Sequence, residues 1–572
     1  MTNRIMSDFI TRNRYYFLAA IVLLAAFLIF FRLDRFDMRT DDVLYSIRAI
    51  GYIDFLDSNL QTSPFTWFEK LPWWSRLSFH DAPPLVFLIQ FIFFKILGVS
   101  LISARLPFAL AGISSVVLVY FIGRRLYHEK IGLLAAFLLT IFTYQIWASR
   151  VGYLEPIALF FALLAFLFFL KAMEKDKFFI WFGVFVGLAI LSKYTAIFVL
   201  IAALAYLFFE NKKFLLNKNL IIGLILIIII FSPVIIYNLM MFSARGHFDL
   251  QFSILFGQDI SKDWPIISRE VKGFSFNNIV NLGQSFLGLY SLPALSLIAL
   301  SLLVISLRSF PDLKNNKKNY LLPLIIIVLL IEFSVLGASE RLLSLLNPFF
   351  ALALAASLYA FGHYLWRKNY QVIFYCMIGI FMLTFIFELI YNLNTNHFYQ
   401  PMGQAGKNYA GNLRFDNGIF KELAGYLTTE TDILKKPNLK IKSFSDLKLD
   451  LSEDAAASDV IIYDRNLHWF SSLWTLRRYG IYYRNIIIGD VDLAILMPKT
   501  DFREFFKQAG VKNLYYIYGS PDLETDKVAA QPNRQFSAQM ANLFGNSDSE
   551  IEEIKDREGS AAFKIYKLNL NP

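Results

Sequence analysis

An adjacent pair of carboxylates, Asp41 and Asp42, is the first feature of the chain with the chemistry of a catalytic site. The pair follows the first apolar run and precedes the semi-apolar stretch Val43–Ile53, which we expect to form a helix along the membrane surface. A tryptophan-rich segment over residues 67–74 then resembles an anchor at the membrane interface. A carboxylate held there can act as a general base. A solvated loop is the alternative interpretation.

A second acidic position, Glu155, lies in the segment Ser-Arg-Val-Gly-Tyr-Leu-Glu-Pro over residues 149–156, a tight turn between two apolar runs. Two interpretations are open, because Glu155 can carry chemistry or can cap the helix that begins at Pro156. Arg105 and Arg150 lie near this turn, and guanidinium groups can hold a phosphate. We therefore predict that the two acidic positions and these cations form one site.

Several other ionisable residues are candidates for the same membrane face. Lys193 is a lone cation between two apolar runs and is either a phosphate contact or a positional anchor. Arg341 is either a phosphate contact or the partner of an ion pair. His80, Asp81 and His247 are candidate loop contacts. His80 and Asp81 lack a third ligand at metal spacing, so a divalent metal stays a minor alternative. Cys376, the only cysteine, lies in an apolar run and is expected to be inert.

The composition requires a membrane to position these residues. Of 572 residues, 56% are hydrophobic and only 17% are charged, and the mean hydropathy is +0.48. These values exceed what a soluble chain can bury. Apolar runs predict about eleven spanning helices, at Tyr15–Phe31, Ser103–Gly123, Ile131–Ser149, Pro156–Leu170, Phe178–Leu191, Thr195–Phe209, Leu220–Asn238, Leu287–Leu307, Leu321–Gly337, Leu342–Leu365 and Val372–Tyr391.

The run Pro84–Leu97 is too short to cross and suits a re-entrant or juxtamembrane helix. With it excluded, the basic residues gather on one side of the membrane, in the loops that contain Arg12, Arg124, Lys171, Lys213, Lys318 and Arg367. Basic loops face the cytoplasm. We therefore expect the candidate site to face outward, at the outer surface of the cytoplasmic membrane. The net charge of +10 reflects this topology, and we expect no nucleic-acid partner.

The predicted organisation is a transmembrane domain over residues 1–392, with outer loops at 32–83 and 240–284, and an extracytoplasmic soluble α/β domain over 393–572. In the latter we predict a helix at Asp501–Ala509 and strands at Asp459–Tyr463, Asn485–Ile488, Leu493–Met497, Leu514–Tyr518 and Ala562–Tyr566. This domain is expected to help dock the acceptor or cover the site. Support of the membrane part is the alternative.

The motifs together resemble those of the GT-C membrane glycosyltransferases. The resemblance covers residues 31–348 and is nearest to the protein O-mannosyltransferases and the aminoarabinose transferases of lipid A. It is carried by the acidic pair in the first outer loop, the Pro-Pro-Leu turn at 83–85, Ala-Arg-Leu-Pro at 104–107, the 149–156 segment, Leu-Ser-Lys-Tyr at 191–194 and Glu-Arg-Leu-Leu at 340–343.

The resemblance implies residue roles. Asp41 matches the first acidic position of the family, the catalytic base or acceptor-orienting carboxylate. Asp42 replaces a more usual Glu, and Glu155 stands where Asp is usual. Ala82 occupies a place where the family often has His or Lys, so His80, Lys193 or an arginine is expected to take over the contact with the donor phosphate.

The resemblance further implies transfer of a sugar from a polyprenyl-phosphate-linked donor, with inversion, to an acceptor protein, lipid or glycan. The leaving lipid phosphate would be stabilised by Arg105, Arg150, Lys193 or Arg341, and no cofactor is required. A lipid donor agrees with the lack of a glycine-rich nucleotide loop. A lipid or sugar transporter or flippase, and a lipid-linked glycan ligase or polymerase, are the alternative functions.

Overall fold

The structure is a computed structural model that describes residues 12–38, 40–52, 81–260, 276–306, 317–337, 341–398, 419–432, 459–483, 485–496, 502–523, 534–556 and 559–570. Its contacts divide these residues into two compact units. The first contains residues 12–33 and those between 81 and 398. The second contains residues 34–52 and those from 419 onward.

The first unit is entirely helical in its described residues. Its α-helices are Arg14–Phe30, Leu85–Leu97, Leu101–Leu126, Glu129–Ile141, Thr143–Arg150, Glu155–Ala172, Phe178–Ser192, Phe198–Glu210, Lys218–Arg245, Leu250–Phe256, Phe276–Leu289, Leu292–Ser306, Leu321–Leu336, Asn347–Arg367 and Gln371–Leu393. Short 3₁₀ helices lie at Tyr194–Ile197, Lys212–Leu216, Lys317–Tyr320 and Leu342–Leu346, and a π-helical turn lies at Asn394–Phe398.

Every predicted span overlaps an apolar helix of this unit. Among the described residues, five helices are long and apolar enough to cross a bilayer, or six if the bent pair Glu129–Ile141 and Thr143–Arg150 is one span. The other five predicted spans correspond to apolar helices of 15–17 residues. The chain is thus a polytopic helical membrane protein, and the count of eleven stays a prediction. The Leu85–Leu97 helix has 13 residues, about 20 Å at 1.5 Å per residue, which is short for a crossing.

Apolar side chains cover much of the outside of the bundle. In the Gln371–Leu393 helix, Val372 is 77% and Leu383 70% exposed, an arrangement that lipid accommodates and water does not. Inside the bundle, helices approach closely. A Cβ atom on Gly183 would lie 2.2 Å from the carbonyl oxygen of Gly223, so only glycine lets the Phe178–Ser192 and Lys218–Arg245 helices meet at this crossing.

The span that leads to the candidate site is broken. The Glu129–Ile141 and Thr143–Arg150 helices meet at an angle of 67°, although the Phe142 N–H still donates to the Leu138 carbonyl oxygen and the Phe142 carbonyl oxygen still accepts from the Ile146 N–H. Side chains of the last helical region also bind the backbone at this bend, because the amide of Asn396 donates to the Thr143 carbonyl oxygen at 3.2 Å and that of Asn392 to the Ile141 carbonyl oxygen at 3.5 Å. Satisfied backbone is what permits a broken helix at membrane depth.

The second unit contains a five-stranded mixed sheet. Its strands are β1 (Val460–Tyr463), β2 (Ile486–Gly489), β3 (Asn513–Gly519), β4 (Glu550–Lys555) and β5 (Ala561–Asn569), in the order β2-β1-β3-β5-β4. β1 runs parallel to β2 and β3, and β5 is antiparallel to β3 and β4. Its helices are Asp41–Gly51, Ile419–Glu430, Trp469–Ser472, Arg478–Tyr483, Asp490–Leu496, Phe502–Gln508 and Arg534–Gly545, with a π-helical turn at Leu473–Arg477 and a 3₁₀ turn at Pro521–Leu523.

Alternate residues of the central strands enter two separate cores. Ile461 and Tyr515 face one core together with the Ile419–Glu430 helix, whereas Val460 and Leu514 face the other together with Phe544. This alternation follows from the two-residue period of a strand. Helices therefore cover both faces of the sheet, as in an α/β layer fold.

One predicted strand is wrong. Residues 493–496 of the predicted strand Leu493–Met497 belong instead to the Asp490–Leu496 helix, and Met497 lies outside the described residues. The reason is local capping, because Asp490 Oδ1 accepts hydrogen bonds from the backbone N–H groups of Val491 and Arg465. A carboxylate in the first turn favours a helix regardless of the apolar run that follows.

The Asp41–Gly51 helix, which we assigned to the domain over 1–392, packs within the second unit. Backbone N–H groups of Phe420 and Lys421 donate to the Asp37 carboxylate at 3.2 and 3.0 Å. The Tyr482 hydroxyl donates to the Ile47 carbonyl oxygen at 2.5 Å. Part of the first outer loop thus belongs to the compact unit that contains the sheet.

Candidate active site

A buried carboxylate in the first unit is held by two cations. Glu155 is 1% exposed, and its Oε1 lies 2.5 Å from Lys193 Nζ and 3.8 Å from Arg341 Nε. The Lys193 and Arg341 side chains are 13% and 26% exposed. The structure therefore brings three of the predicted site residues together, and buried charge of this kind is retained only where it is paired.

Each of the three side chains is positioned by the end of a helical segment. Glu155 begins the Glu155–Ala172 helix, with Pro156 in the first turn. Lys193 is the C-cap of the Phe178–Ser192 helix, in extended conformation, and Arg341 precedes the 3₁₀ helix Leu342–Leu346. A carboxylate at a helix N-terminus and a cation at a C-terminus are each favoured by the helix dipole. Glu155 thus begins a helix and also enters an ion cluster, and its role in chemistry stays a prediction.

The second oxygen of Glu155 is buried and has no hydrogen-bond partner among the described residues. Glu332, in the last turns of the Leu321–Leu336 helix, also has a buried Oε2 without such a partner and lies close enough to Lys193 to interact with it electrostatically. Ionisable groups at this depth are costly unless they are used. Each of the two oxygens could accept a hydrogen bond from a donor group of a ligand.

The residue after Lys193 is anchored by a buried aspartate. Asp249 is fully buried, and its Oδ2 accepts hydrogen bonds from the Tyr194 hydroxyl at 2.9 Å and the Asn238 amide at 3.0 Å. Its Oδ1 accepts from the Phe252 N–H at 2.9 Å and caps the Leu250–Phe256 helix. Burial raises the pKa of Asp249. The network ties the segment around Asp249 to the side chain of Tyr194, the residue that follows Lys193.

Two candidates from the loops lie on or near this network. Asp81 is close enough to the Tyr194 phenol to act on it electrostatically, and its carbonyl oxygen accepts from the Gln251 amide at 3.2 Å. The His247 ring is 6% exposed, and its Nδ1 lies 2.6 Å from the Phe248 carbonyl oxygen. His80 lies outside the described residues.

The guanidinium groups of Arg105 and Arg150 donate hydrogen bonds to backbone carbonyl oxygens. The Arg150 guanidinium donates to the carbonyl oxygens of Ile29, Phe31 and Arg32 at 2.7 to 2.8 Å, where the Arg14–Phe30 helix ends. Arg105 Nη1 donates to the Leu33 carbonyl oxygen at 2.8 Å. Both side chains are at least 95% buried, with exposures of 5% and 2%. These contacts give both side chains a structural role, because carbonyls at a helix C-terminus need donors, and their role as phosphate ligands stays a prediction.

Asp41 and Asp42 lie in the second unit, in the first turn of the Asp41–Gly51 helix. Asp42 is 2% exposed, and its Oδ1 accepts hydrogen bonds at 3.0 Å from Thr40 N, Thr40 Oγ1 and Val43 N. Asp41 is only partly buried. The carboxylate of Asp42 therefore holds the start of the helix, and the catalytic role of Asp41 stays a prediction.

The cluster can bind an anion. Lys193 and Arg341 supply charge-assisted donors of the type that hold phosphate, and Glu155 fixes both cations from one side. Within the described ranges, no three His, Cys, Asp or Glu side chains come together as metal ligands.

Three residues of this region, Glu332, Tyr194 and Asp249, were not among the predicted site residues. An acidic residue inside an apolar helix is a signal that could have identified Glu332. Tyr194 directly follows the predicted Lys193, and Asp249 lies two residues after the predicted His247. Their pairing joins positions far apart in the chain, so the sequence alone gives no sign of it.

The sequence matches a family profile over residues 81–237, that of dolichyl-phosphate-mannose-protein mannosyltransferase. The matched region contains Glu155 and Lys193 but not Asp41 or Arg341. No curated protein matches the sequence closely.

Two solved structures of ArnT from Cupriavidus metallidurans share the fold of this chain. The apo form is 12% identical, with a TM-score of 0.54 over 97% of this chain and 98% of ArnT. The form bound to undecaprenyl phosphate is 12% identical, with a TM-score of 0.51 over the same shares. The oligosaccharyltransferase AglB from Archaeoglobus fulgidus, in complex with an inhibitory peptide and a dolichol-phosphate, is 14% identical, with a TM-score of 0.49 over 96% of this chain and 74% of AglB.

Proposed function

We propose that this chain, a membrane glycosyltransferase of the GT-C type, transfers a sugar from a polyprenyl-phosphate-linked donor to an acceptor at the outer face of the cytoplasmic membrane. The enzyme class and the resemblance predicted from the sequence are confirmed by the family match and the shared fold. The donor class is supported by the dolichyl-phosphate-mannose substrate in the family description and by undecaprenyl phosphate bound to ArnT.

The observation that carries the proposal is the buried Glu155–Lys193–Arg341 cluster. In the reaction, the bond between the sugar C1 and the phosphate oxygen breaks, and the lipid phosphate leaves with the electron pair. Lys193 and Arg341 supply two positive charges that stabilise the phosphate as this charge develops. Glu155 holds the two cations in place, at 2.5 and 3.8 Å, before the donor arrives.

The acceptor side of the reaction is assigned to Asp41. An acceptor hydroxyl or amine forms the new bond to C1 while its proton passes to the carboxylate, and a single displacement inverts the configuration. The assignment rests on the position of Asp41 in the family pattern and on its partial exposure, whereas Asp42 is occupied by the helix start. The acceptor is a protein, lipid or glycan.

The test uses the purified full chain in proteoliposomes with labelled polyprenyl-phosphate mannose and, separately, polyprenyl-phosphate aminoarabinose. Wild type is compared with Glu155→Gln and with Glu129→Gln, a matched variant of another glutamate that begins a helix but lies among the basic loops. With water as the acceptor of the sugar, we expect release of polyprenyl phosphate from wild type and Glu129→Gln, and at least a tenfold loss for Glu155→Gln. Passage of the intact donor across the bilayer without cleavage would favour the transporter alternative and refute the proposal.

The orientation is tested separately, with reporter fusions placed after Lys130 and after Pro572. The basic loops favour an inward reporter at Lys130 and an outward one at Pro572. An inward reporter at Pro572 would place the C-terminal domain on the cytoplasmic side and contradict this part of the proposal.

A further inference from the structure

A groove of about 830 Å³ lies between the Leu101–Leu126 and Glu155–Ala172 helices. Its walls are apolar and aromatic over most of its length, with Phe121 on one helix and Phe160, Leu164 and Phe168 on the other. This volume is within the range of sites that hold small molecules and cofactors. An apolar wall that faces the bilayer suits a hydrocarbon chain.

The length of the groove matches one leaflet. It runs from Ser114 to Arg125 on the first helix and from Phe160 to Lys171 on the second, a difference of 11 in residue number on each. At 1.5 Å per residue this is about 16 Å, close to half of the roughly 30 Å hydrocarbon core. A ligand in the groove would thus extend from the headgroup level to the middle of the bilayer.

Positive charge is concentrated at one end. Arg124, Arg125 and Lys171 line that end, with Glu174 as the one carboxylate among the lining residues. Glu174 already pairs with Arg125 at 2.8 Å and with Lys318 at 3.4 Å. The Lys171 ammonium lies 4.5 Å from the centre of the Phe168 ring and has no carboxylate within ion-pair distance in the described part of the chain. At the end where a headgroup phosphate would lie, the groove therefore offers a lysine whose charge is not neutralised by a carboxylate of the described residues.

We propose that this groove binds one anionic phospholipid, with an acyl chain against the aromatic wall and the phosphate on Lys171 and the neighbouring arginines. Basic pockets between transmembrane helices are typical sites for such headgroups. The groove is distinct from the candidate active site, because Glu155 begins the helix that Lys171 nearly ends. A leaflet-length groove also fits a glycerophospholipid better than a longer polyprenyl chain.

The experiment measures lipid retention by the purified full chain. The protein is reconstituted in nanodiscs of phosphatidylcholine with either phosphatidylglycerol or phosphatidylethanolamine, extracted into mild detergent and examined by native mass spectrometry. The variants are Lys171→Ala, Lys171→Arg and Leu164→Trp, which fills the groove. The matched control is Lys175→Ala, an exposed lysine at the same end that does not line the groove.

We expect wild type, Lys171→Arg and Lys175→Ala to retain phosphatidylglycerol in preference to phosphatidylethanolamine. Lys171→Ala should weaken retention about fivefold, the effect of one basic residue at an anionic surface, and Leu164→Trp should abolish it. An unchanged thermal midpoint checks that each variant is folded.

Three results would overturn the inference. These are equal retention of the two lipids, an equal loss for Lys175→Ala, and displacement of phosphatidylglycerol by polyprenyl phosphate, which would make the groove a substrate site. Each outcome is read from bound lipid rather than from activity, so failure of the proposed function would leave the measurement unaffected.

Discussion

Removal of the Lys193 charge should affect stability and catalysis through different partners. In the Glu155 cluster, the Lys193 and Arg341 nitrogens lie 2.5 and 3.8 Å from the same carboxylate oxygen. Coulomb energy varies inversely with distance, so Lys193 contributes about 1.5 times as much as Arg341. The loss of one partner of a buried pair typically costs about 3–5 kcal/mol. Because Arg341 remains, we expect Lys193→Met to lower the free energy of unfolding by about 3 kcal/mol, and Arg341→Met to lower it less.

The double variant Lys193→Met/Glu155→Gln separates the two roles. It removes both charges, and a buried ion pair replaced by neutral groups of similar size is often neutral for stability. We expect it to recover most of the lost stability while the KM for the lipid donor stays about 10- to 100-fold raised, since the phosphate has lost a charged partner.

The assay combines denaturant unfolding in detergent with initial rates against donor concentration. Recovery of the donor KM in the double variant would show that Lys193 serves only to neutralise Glu155. A larger effect of Arg341→Met than of Lys193→Met on stability would refute the ranking by distance.

Three other predictions follow from the same contacts. Arg150→Met should lower the free energy of unfolding by about 2–3 kcal/mol, because three carbonyl oxygens lose their donor. The KM for the donor should stay unchanged. A raised KM at unchanged stability would favour its predicted role as a phosphate ligand. Asp41→Asn should cut turnover by about 10²–10⁴-fold at unchanged stability. Asp42→Ala should instead lower the free energy of unfolding by about 1 kcal/mol, because the hydrogen bonds of its carboxylate at the helix start are lost. The reverse pattern would exchange their roles. Because burial raises the pKa of Asp249, protonation of this carboxyl favours the folded state. Its contribution to stability is greatest below the usual pKa of about 3.9 and is lost as pH rises through the raised pKa. Asp249→Asn should therefore flatten the pH dependence of the free energy of unfolding, and an unchanged pH profile would contradict this.

Hydropathy predicted the helices of the first unit well, because each span buries an apolar surface in lipid or protein whatever its neighbours are. It did not predict the break in the span after Ile141, since the side chains that bind the backbone at the break, Asn392 and Asn396, come from a distant part of the chain. In the second unit, the central strands were predicted from their apolar runs. The Asp490–Leu496 helix was missed because its capping carboxylate outweighs the strand-like run.

For the candidate site, the sequence identified ionisable residues that lie between apolar runs, among them Glu155 and Lys193. It could not distinguish cations that face a carboxylate from those that face a backbone, as the contrast between Lys193 and Arg150 shows. That distinction depends on which helix end each side chain meets. For the same reason, the anchoring of Tyr194 by Asp249 became visible only in the folded chain.

The central claim, sugar transfer from a lipid phosphate with inversion, is tested most directly by NMR of a single turnover with donor labelled with ¹³C at the sugar C1. The purified full chain in proteoliposomes is mixed with excess acceptor. The account predicts loss of the coupling between C1 and phosphorus, together with appearance of C1 in the opposite anomeric configuration on the acceptor. Persistence of the carbon–phosphorus coupling while the sugar crosses the bilayer, or retention of configuration in the product, would contradict it.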